Sequence, residues 1–436
     1  MYSPGSEDKI KHDIEFDDKG ICNICHMHDK FERNFTNNGK AKLEKIIEKV
    51  KEDGKNKPYD CILGVSGGCD SSYCLYLLKE VYNLRILAYY FDNTWSTDIA
   101  VSNIQKMVSA LDVDYYCHVA DNHEYTDAEK AFLEASVADQ NILVDINYGT
   151  LSLELMEKYD INYSFEGHSY RTEGTVPFGW SFMDGKYINS VLSEYGTCKE
   201  YKSLPIMTAE FWLEQLQKRK GDRLRLLYYL DYDKEKTKKF LIDKFDWEWY
   251  GGHHQENEYT KFIKTYILPT KFGIDKRYVE FSALVRSGQM DRNQALKDLQ
   301  EPLEVDDKFL DYCKKRLGYS DSDFDIMMNK PISTDIPVNT LFVPFIYLLI
   351  TPMNIIKAKK IRNETNVLPE KKPSAINDTN IKIRIIPRKA IVFHLCSLIF
   401  LKKKFSSFSS SIFFSSLGNL VKIFCFNCSS IHLTEK

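Results

Sequence analysis

Three things are missing from this 436-residue chain. It has no apolar leader: Met1 to His12 is polar and mixed in charge, so the cytoplasm is the expected compartment. It has no cysteine framework, because eleven cysteines spread over this length cannot staple a fold together, which agrees with a reducing environment. It also lacks a basic main body. The formal net charge is −3, but residues 351–436 carry 15 Lys and Arg against 4 Asp and Glu, or +11, which leaves −14 for residues 1–350. Affinity for a phosphate backbone rests on clustered Lys and Arg, so no nucleic-acid partner is expected. Hydrophobic content of 43% and charged content of 28% are ordinary for a folded enzyme, and the length suits two domains with an appendage.

What is present starts with Ser66 to Ser72, S-G-G-C-D-S-S, between an apolar run (Tyr59 to Val65) and a helical pattern (Tyr73 to Val81). Strand, glycine turn and helix in that order make a phosphate cradle. Gly67 and Gly68 let the backbone turn tightly so that N–H groups converge on an anion, and the helix adds the positive end of its dipole. The hydroxyls of Ser66, Ser71 and Ser72 can donate to phosphoryl oxygens, and Asp70 is placed to hold Mg²⁺ against pyrophosphate. No G-K-[ST] follows, so this is not a Walker loop. It resembles the PP-loop of the ATP pyrophosphatases, which cleave ATP between its α and β phosphates.

From about residue 40 strands alternate with helices. A charged helix (Lys40 to Lys51) precedes the first strand; further strands are expected at Arg85–Phe91, Tyr115–Val119 and Ile161–Phe165. The intervening helices are Thr97–Leu111, Thr126–Asp139 and Tyr148–Lys158. This spacing predicts an α/β fold with a doubly wound parallel sheet, followed by a helical C-terminal region. Ligands of such sheets lie beyond the carboxyl ends of the strands. That rule gathers Ser66–Ser72, Asp92-Asn93 and Glu166-Gly167-His168 on one edge. Asp92 and Asn93 suit ribose or adenine contacts, or Asn93 and Thr97 cap the next helix. The expected organisation is a Cys-x-x-Cys segment (1–39), the ATP-binding domain (40–205), a helical substrate or partner domain (206–330) and an apolar, then basic tail (331–436).

Other segments carry candidate chemistry. Cys22-x-x-Cys25 offers two thiolates for zinc; a redox pair or two plain cysteines are the alternatives. Glu166 to Thr175, E-G-H-S-Y-R-T-E-G-T, is rich in groups that handle anions: His168 and Arg171 suit the α-phosphate, Glu173 metal or substrate. Trp180 to Ile188 alternates around Asp184-Gly185, which predicts a hairpin. In Tyr250 to Arg292, His253, His254 and Glu256 sit beside a glycine turn, and Lys271, Lys276, Arg277, Arg286 and Arg292 form a cationic set suited to a diphosphate or nucleotide-sugar ligand.

Together, S-G-G-C-D-S, E-G-H-S-Y-R-T-E-G-T, W-S-F-M-D-G-K-Y-I, G-G-H-H-Q-E-N-E-Y-T-K-F and F-G-I-D-K-R…S-A-L-V-R-S-G-Q-M resemble the N-acetyl sugar amidotransferases of bacterial surface-polysaccharide biosynthesis, including the lipopolysaccharide and pseudaminic- or legionaminic-acid pathway enzymes. The resemblance covers about residues 14–330. It implies ATP-dependent conversion of an acetamido group of a nucleotide-linked sugar to an acetamidino group. An adenylated intermediate forms, and AMP and pyrophosphate are released. Ammonia is implied to come from a separate glutaminase subunit with a cyclase-like companion, and this chain carries no glutaminase-type nucleophile module. His254 or Glu256 is then expected to steer ammonia or its proton.

Two departures stand out. Met1 to His12 lacks the further C-x-x-C that the family carries ahead of Cys22, which leaves the zinc site short of ligands. After Pro331 the chain runs apolar (Asn339 to Ile356, broken by Pro344 and Pro352), then basic, then Ser/Phe-rich, suggesting peripheral membrane contact at most. The rival readings are a PP-loop tRNA-thiolating enzyme and a non-catalytic nucleotide-binding subunit of a glycan-assembly complex.

Overall fold

Cys61–Gly64 (β1) and Ile86–Asp92 (β2) are buried almost throughout, as parallel strands covered on both faces must be. The computed structural model, which describes residues 14–174, 184–208, 211, 214–215 and 222–333, places them at the centre of one sheet. Asp114–Val119 (β3) flanks β2, Ser164–Glu166 (β4) flanks β1, and Arg223–Arg225 (β5) closes the far edge, in the order β3-β2-β1-β4-β5. Every pairing is parallel. The α/β class with a parallel sheet is therefore the observed fold.

Alternation along the strands divides the apolar residues between two layers. Ile62, Leu87, Tyr89 and Phe91 join one core with the helices Asn122–Glu134 (α5) and Ile142–Lys158 (α6). Cys61, Leu63, Ala88 and Tyr90 join the other with Gly39–Gly54 (α2), Cys69–Tyr76 (α3) and Asp98–Leu111 (α4). Thr97 caps α4, its side chain accepting from Ala100 N.

All described residues belong to one compact unit. Position 205/206, expected as a domain boundary, does not separate two cores. β5 lies beyond it, and Tyr259, Phe262, Ile263 and Ile267 pack in the same cluster as α5 and α6. The hairpin expected around Asp184-Gly185 is corrected: Asp184 is the N-cap of the helix Gly185–Tyr195 (α7), its carboxylate accepting from Lys186 N at 2.9 Å. An Asp-Gly pair serves a cap as well as a turn, and Ile188, Val191 and Leu192 are buried at helical spacing. Trp180 to Met183 and everything from residue 334 onward, including the apolar run and the basic tail, lie outside the described residues. Among the described residues no helix is long and apolar enough to cross a membrane.

Strand order reverses at β1. The chain goes from β1 to β2 on one side and returns to β4 on the other, so the turns after β1 and β4 splay apart and leave a crevice at the sheet edge.

Candidate functional site

The turn after β1 is held by side chains from far along the chain. Gly67 has φ +76°, a left-handed conformation, and a Cβ there would run into the carbonyl of Ala100. Its own carbonyl accepts from Trp247 Nε1 at 3.0 Å and Asn103 Nδ2 at 3.2 Å. Gly68 is the N-cap of α3, and Ser71 Oγ accepts from Ser66 N and donates to Gly68 O, both at 3.3 Å. Gly167, at the end of β4, comes so close to α3 that a Cβ would lie 3.0 Å from Ser71 N. The result is a cleft of ≈ 170 Å³ whose lining includes Ser66, Gly68, Asp70, Ser71, Gly167 and Lys234. Donors and a helix start face one small space there, as an anion requires. Ser72 was expected to hold phosphate; it is instead buried at 3% exposure, and neither it nor Gly67 lines the cleft.

Lys234 is the residue that the motif did not announce. The helix Lys234–Phe245 (α8) starts with it, and its Nζ lies 3.2 Å from Asp70 Oδ2; the two side chains are 11% and 13% exposed. Tyr232 donates to the other Asp70 oxygen. Burial lowers the pKa of this lysine, but the charge and hydrogen bond of Asp70 together with Cys69 and Glu173 outweigh it, and the pKa is raised. A cation that the loop itself lacks thus arrives from 164 residues away.

The cleft opens into a larger cavity of ≈ 700 Å³, and Ser66, Glu173, His253, His254 and Glu256 line both. Its walls include Asn93 at the sheet edge, Phe31 from the helix Asn23–Phe31 (α1), and Asp145, Lys264 and Lys276 opposite. Phe31 is fixed by aromatic packing on Tyr170 and Tyr228. Asn93 is buried, accepting from Trp95 N at 3.1 Å and Asn257 Nδ2 at 2.9 Å. Asp92 accepts from Thr94 N at 2.8 Å and does not line the cavity, so only the second of the two expected ribose or adenine contacts is in position.

His168 also lines the cavity, between Tyr228 OH at 3.1 Å and Glu173 Oε2 at 3.1 Å. Loss of solvation, then the charge of Arg225, pushes its pKa down to about 4, so the ring is neutral near pH 7. Glu173 is pushed up to about 7 by burial, with Asp70 and Glu256 adding and His254 and Lys234 opposing. Glu256 moves the other way: burial would raise it, but the hydrogen bond and charge of His254 and the charge of Lys234 bring it below the usual range. His254 holds φ +58°, with Nδ1 3.6 Å from Glu256. Lys264 Nζ donates to Glu280 at 3.0 Å and to the His253 carbonyl at 2.9 Å; burial, then Lys276, pushes it down to about 7. One carboxyl, Glu173, and one lysine, Lys264, both poised near neutrality make this a place for proton handling.

Glu173 carries a pH prediction. The folded carboxyl keeps a proton that the unfolded chain releases above 4.5, so its contribution to stability falls as pH rises from 4.5 through about 7. Glu173→Gln is expected to flatten that stretch of the stability profile, read as urea midpoints at closely spaced pH values.

Glu173, His253 and His254 each offer a ligand atom, all within 4.8 Å of one another; they are the one such trio among the described residues. Cys22 and Cys25 belong to no such group, so the expected zinc site there is not supported. The two sulfurs lie 3.3 Å apart at the start of α1 beside Arg286.

Several expected site residues hold the structure together instead. Arg171, expected at the α-phosphate, bridges Glu32 at 2.9 Å and Asp231 at 2.6 Å, tying the N-terminal segment to the body. Lys271 donates to the carbonyls of Met327, Met328 and Lys330, ending the helix Asp321–Asn329. Arg277 grips Asp275 and the carbonyls of Asp298 and Glu301. Arg286 faces the cysteine pair. Of the cations proposed for substrate, Lys276 alone lines the cavity.

Comparison with known proteins adds five likenesses. NH3-dependent NAD synthetase from Campylobacter jejuni gives TM-score 0.27 at 14% identity, covering 60% of this chain and 97% of that one. NMN synthetase from Francisella tularensis gives TM-score 0.27 at 12% identity, covering 67% and 96%. The U34-tRNA thiolase NcsA from Methanococcus maripaludis gives 0.26 at 13%, covering 57% and 80%. The uncharacterized protein MJ1599 of Methanocaldococcus jannaschii is 34% identical over 119 residues, 27% of this chain; the chain spans 41% of the length of that curated relative. Residues 256–343 match the family model of the LPS biosynthesis protein WbpG-like, C-terminal domain.

Proposed function

We propose that the protein is an ATP-dependent amidotransferase of the PP-loop type that converts an acetamido group of a nucleotide-linked N-acetyl sugar, UDP-linked in the simplest case, to an acetamidino group during surface-polysaccharide synthesis. One observation carries the reading: the serine and glycine turn after β1, with Lys234 on Asp70, forms a phosphate-sized cleft that opens directly into a cavity large enough for a second substrate. The likeness of residues 256–343 to an LPS biosynthesis domain supports the pathway class, because His254, Glu256, Lys264 and Lys276 lie in or beside that stretch and line the same cavity.

In this reading Ser66, Ser71 and the start of α3 hold the β and γ phosphates, and Lys234 turns from Asp70 to the departing pyrophosphate. Asp70 and Glu173 are the carboxylates that would hold Mg²⁺, which supplies neutralisation of that leaving group. The acetamido oxygen attacks the α-phosphorus, the bond to pyrophosphate breaks, and ammonia then displaces AMP from the imidate carbon. The protein's share is charge stabilisation and positioning. Neutral His168 donates its ring N–H to an α-phosphate oxygen, and Glu256 with His254 takes the proton that ammonia loses. Ammonia comes from a glutaminase partner with its cyclase-like companion, and the pseudaminic- and legionaminic-acid pathways are the proposed setting. A thiolating reading needs a reactive thiol at the cleft, whereas burial pushes Cys69 up to about 12 and Cys74 well above its usual range.

The test is release of AMP and pyrophosphate from ATP with UDP-acetamido sugars and ammonium. Equimolar AMP and amidine product are expected. Release that depends on tRNA instead, or no release with any acceptor, would sink the reading.

A further inference from the structure

Where the phosphate cleft opens into the large cavity, three side chains of metal-ligand type converge. Glu173, His253 and His254 line both spaces, and one ligand atom from each lies within 4.8 Å of the other two. The cleft beside them is ≈ 170 Å³, ample for an ion with bound water. The amidotransferase reading uses Glu173 and His254 singly and leaves His253 without a task.

His253 lacks a partner. Its side chain is 16% exposed, and neither ring nitrogen has a hydrogen bond. Nδ1 abuts a Glu280 oxygen, which leaves Nε2 buried and unmatched. His254 repeats the pattern, with Nδ1 3.6 Å from Glu256. A carboxylate behind Nδ1 fixes the tautomer and ring orientation of an imidazole, and it is the usual backing of a histidine that ligates through Nε2.

Charge at the junction points the same way. Lys234 is paired with Asp70 at 3.2 Å and Lys264 with Glu280 at 3.0 Å. Glu173 and Glu256 have only histidines as ion-pair partners among the described residues, His168 at 3.1 Å and His254 at 3.6 Å. His168 meets Oε2 of Glu173, so Oε1 remains, and Glu256 Oε2 is buried without a partner. Buried carboxylates with no lysine or arginine of their own favour a bound cation. Two imidazoles and one carboxylate select a first-row transition ion, whereas Mg²⁺ takes oxygen ligands.

We propose that Glu173, His253 and His254 bind a divalent transition metal ion, distinct from the Mg²⁺ that accompanies the nucleotide. Three protein ligands leave coordination positions open, as catalytic rather than structural sites do. Because the trio lines both spaces, those positions lie where nucleotide and acceptor would meet, and the ion would take an α-phosphoryl oxygen as the acetamido oxygen attacks. With His254 on the metal, Glu256 is the group that takes the proton from ammonia. That consequence rests on the amidotransferase reading; the binding itself does not.

Co²⁺ is the probe, because its visible absorption reports its ligands. The full chain, stripped with chelator and free of ATP and acceptor, is titrated with Co²⁺ in the presence of excess Mg²⁺. One equivalent is expected to bind, with the weak d–d bands of nitrogen and oxygen ligands and no thiolate charge-transfer band. His253→Gln and His254→Asn should each weaken binding by roughly 10–100-fold or more, while Cys22→Ser leaves it unchanged. Asparagine tolerates the φ of +58° at position 254, so that variant removes the ligand without straining the turn, and it decides alone should His253→Gln not fold. No binding, displacement by Mg²⁺, unchanged affinity in a folded histidine variant, or a thiolate band as the sole signal overturns the proposal. AMP release is read separately: its absence with every acceptor counts against the amidotransferase reading and leaves the titration to decide the site.

Discussion

Lys234→Met is expected to lower kcat/KM for ATP by ~10²–10³-fold in an AMP-release assay, the scale of losing one preorganised donor to developing charge. The loop has no lysine of its own, and Lys234 is the lysine that lines the cleft. The substitution has a second effect that must be separated from the first. It leaves Asp70 buried against Tyr232 with no cation, and breaking a buried pair costs roughly 3–5 kcal/mol. Asp70→Asn alone strands the lysine instead. The double variant removes both charges, so its urea midpoint should recover toward the starting protein while activity does not. Recovery of both together would mean that the pair is purely structural.

Gly67→Ala is expected to cost ~3 kcal/mol or more, combining about 1–2 kcal/mol for a left-handed alanine with crowding against backbone. The new methyl meets the Ala100 carbonyl in the first turn of α4, which cannot swing aside as a side chain would. The loop must then shift, losing its bonds from Trp247 and Asn103 and, with them, ATP binding. Gly288 provides the control. It has φ +71° with nothing within 4 Å of an added Cβ, so Gly288→Ala should cost only about 1–2 kcal/mol. Equal urea midpoints for the two variants would remove the close approach as the reason for glycine at position 67.

The misplaced residues share a cause. Arg171, Lys271 and Arg277 are the residue types that bind anions, but the same guanidinium and ammonium groups satisfy carboxylates and helix-end carbonyls equally well. Residue type declares a capability, and only the neighbours in space declare its use. Lys234 was hidden for the converse reason: within D-Y-D-K-E-K it has the look of any solvated helix start, and its partner is distant in the chain. At Asp184 both periods were present, and the helical one won because Ile188, Val191 and Leu192 have a core to enter.

By itself, the order of residues determined what is local: strand, glycine turn and helix at positions 61 to 76, the next strands, and thus a parallel sheet with Ser66, Asn93 and Gly167 near one edge. Hydrophobic period and turn chemistry act over a few residues, so they are readable wherever they occur. Which charges meet was decided by tertiary packing alone. The helix bearing Lys234 and the turn bearing His253, His254 and Glu256 reach the phosphate loop only when the chain folds back across the sheet edge. Partners so far apart in sequence leave no periodic trace.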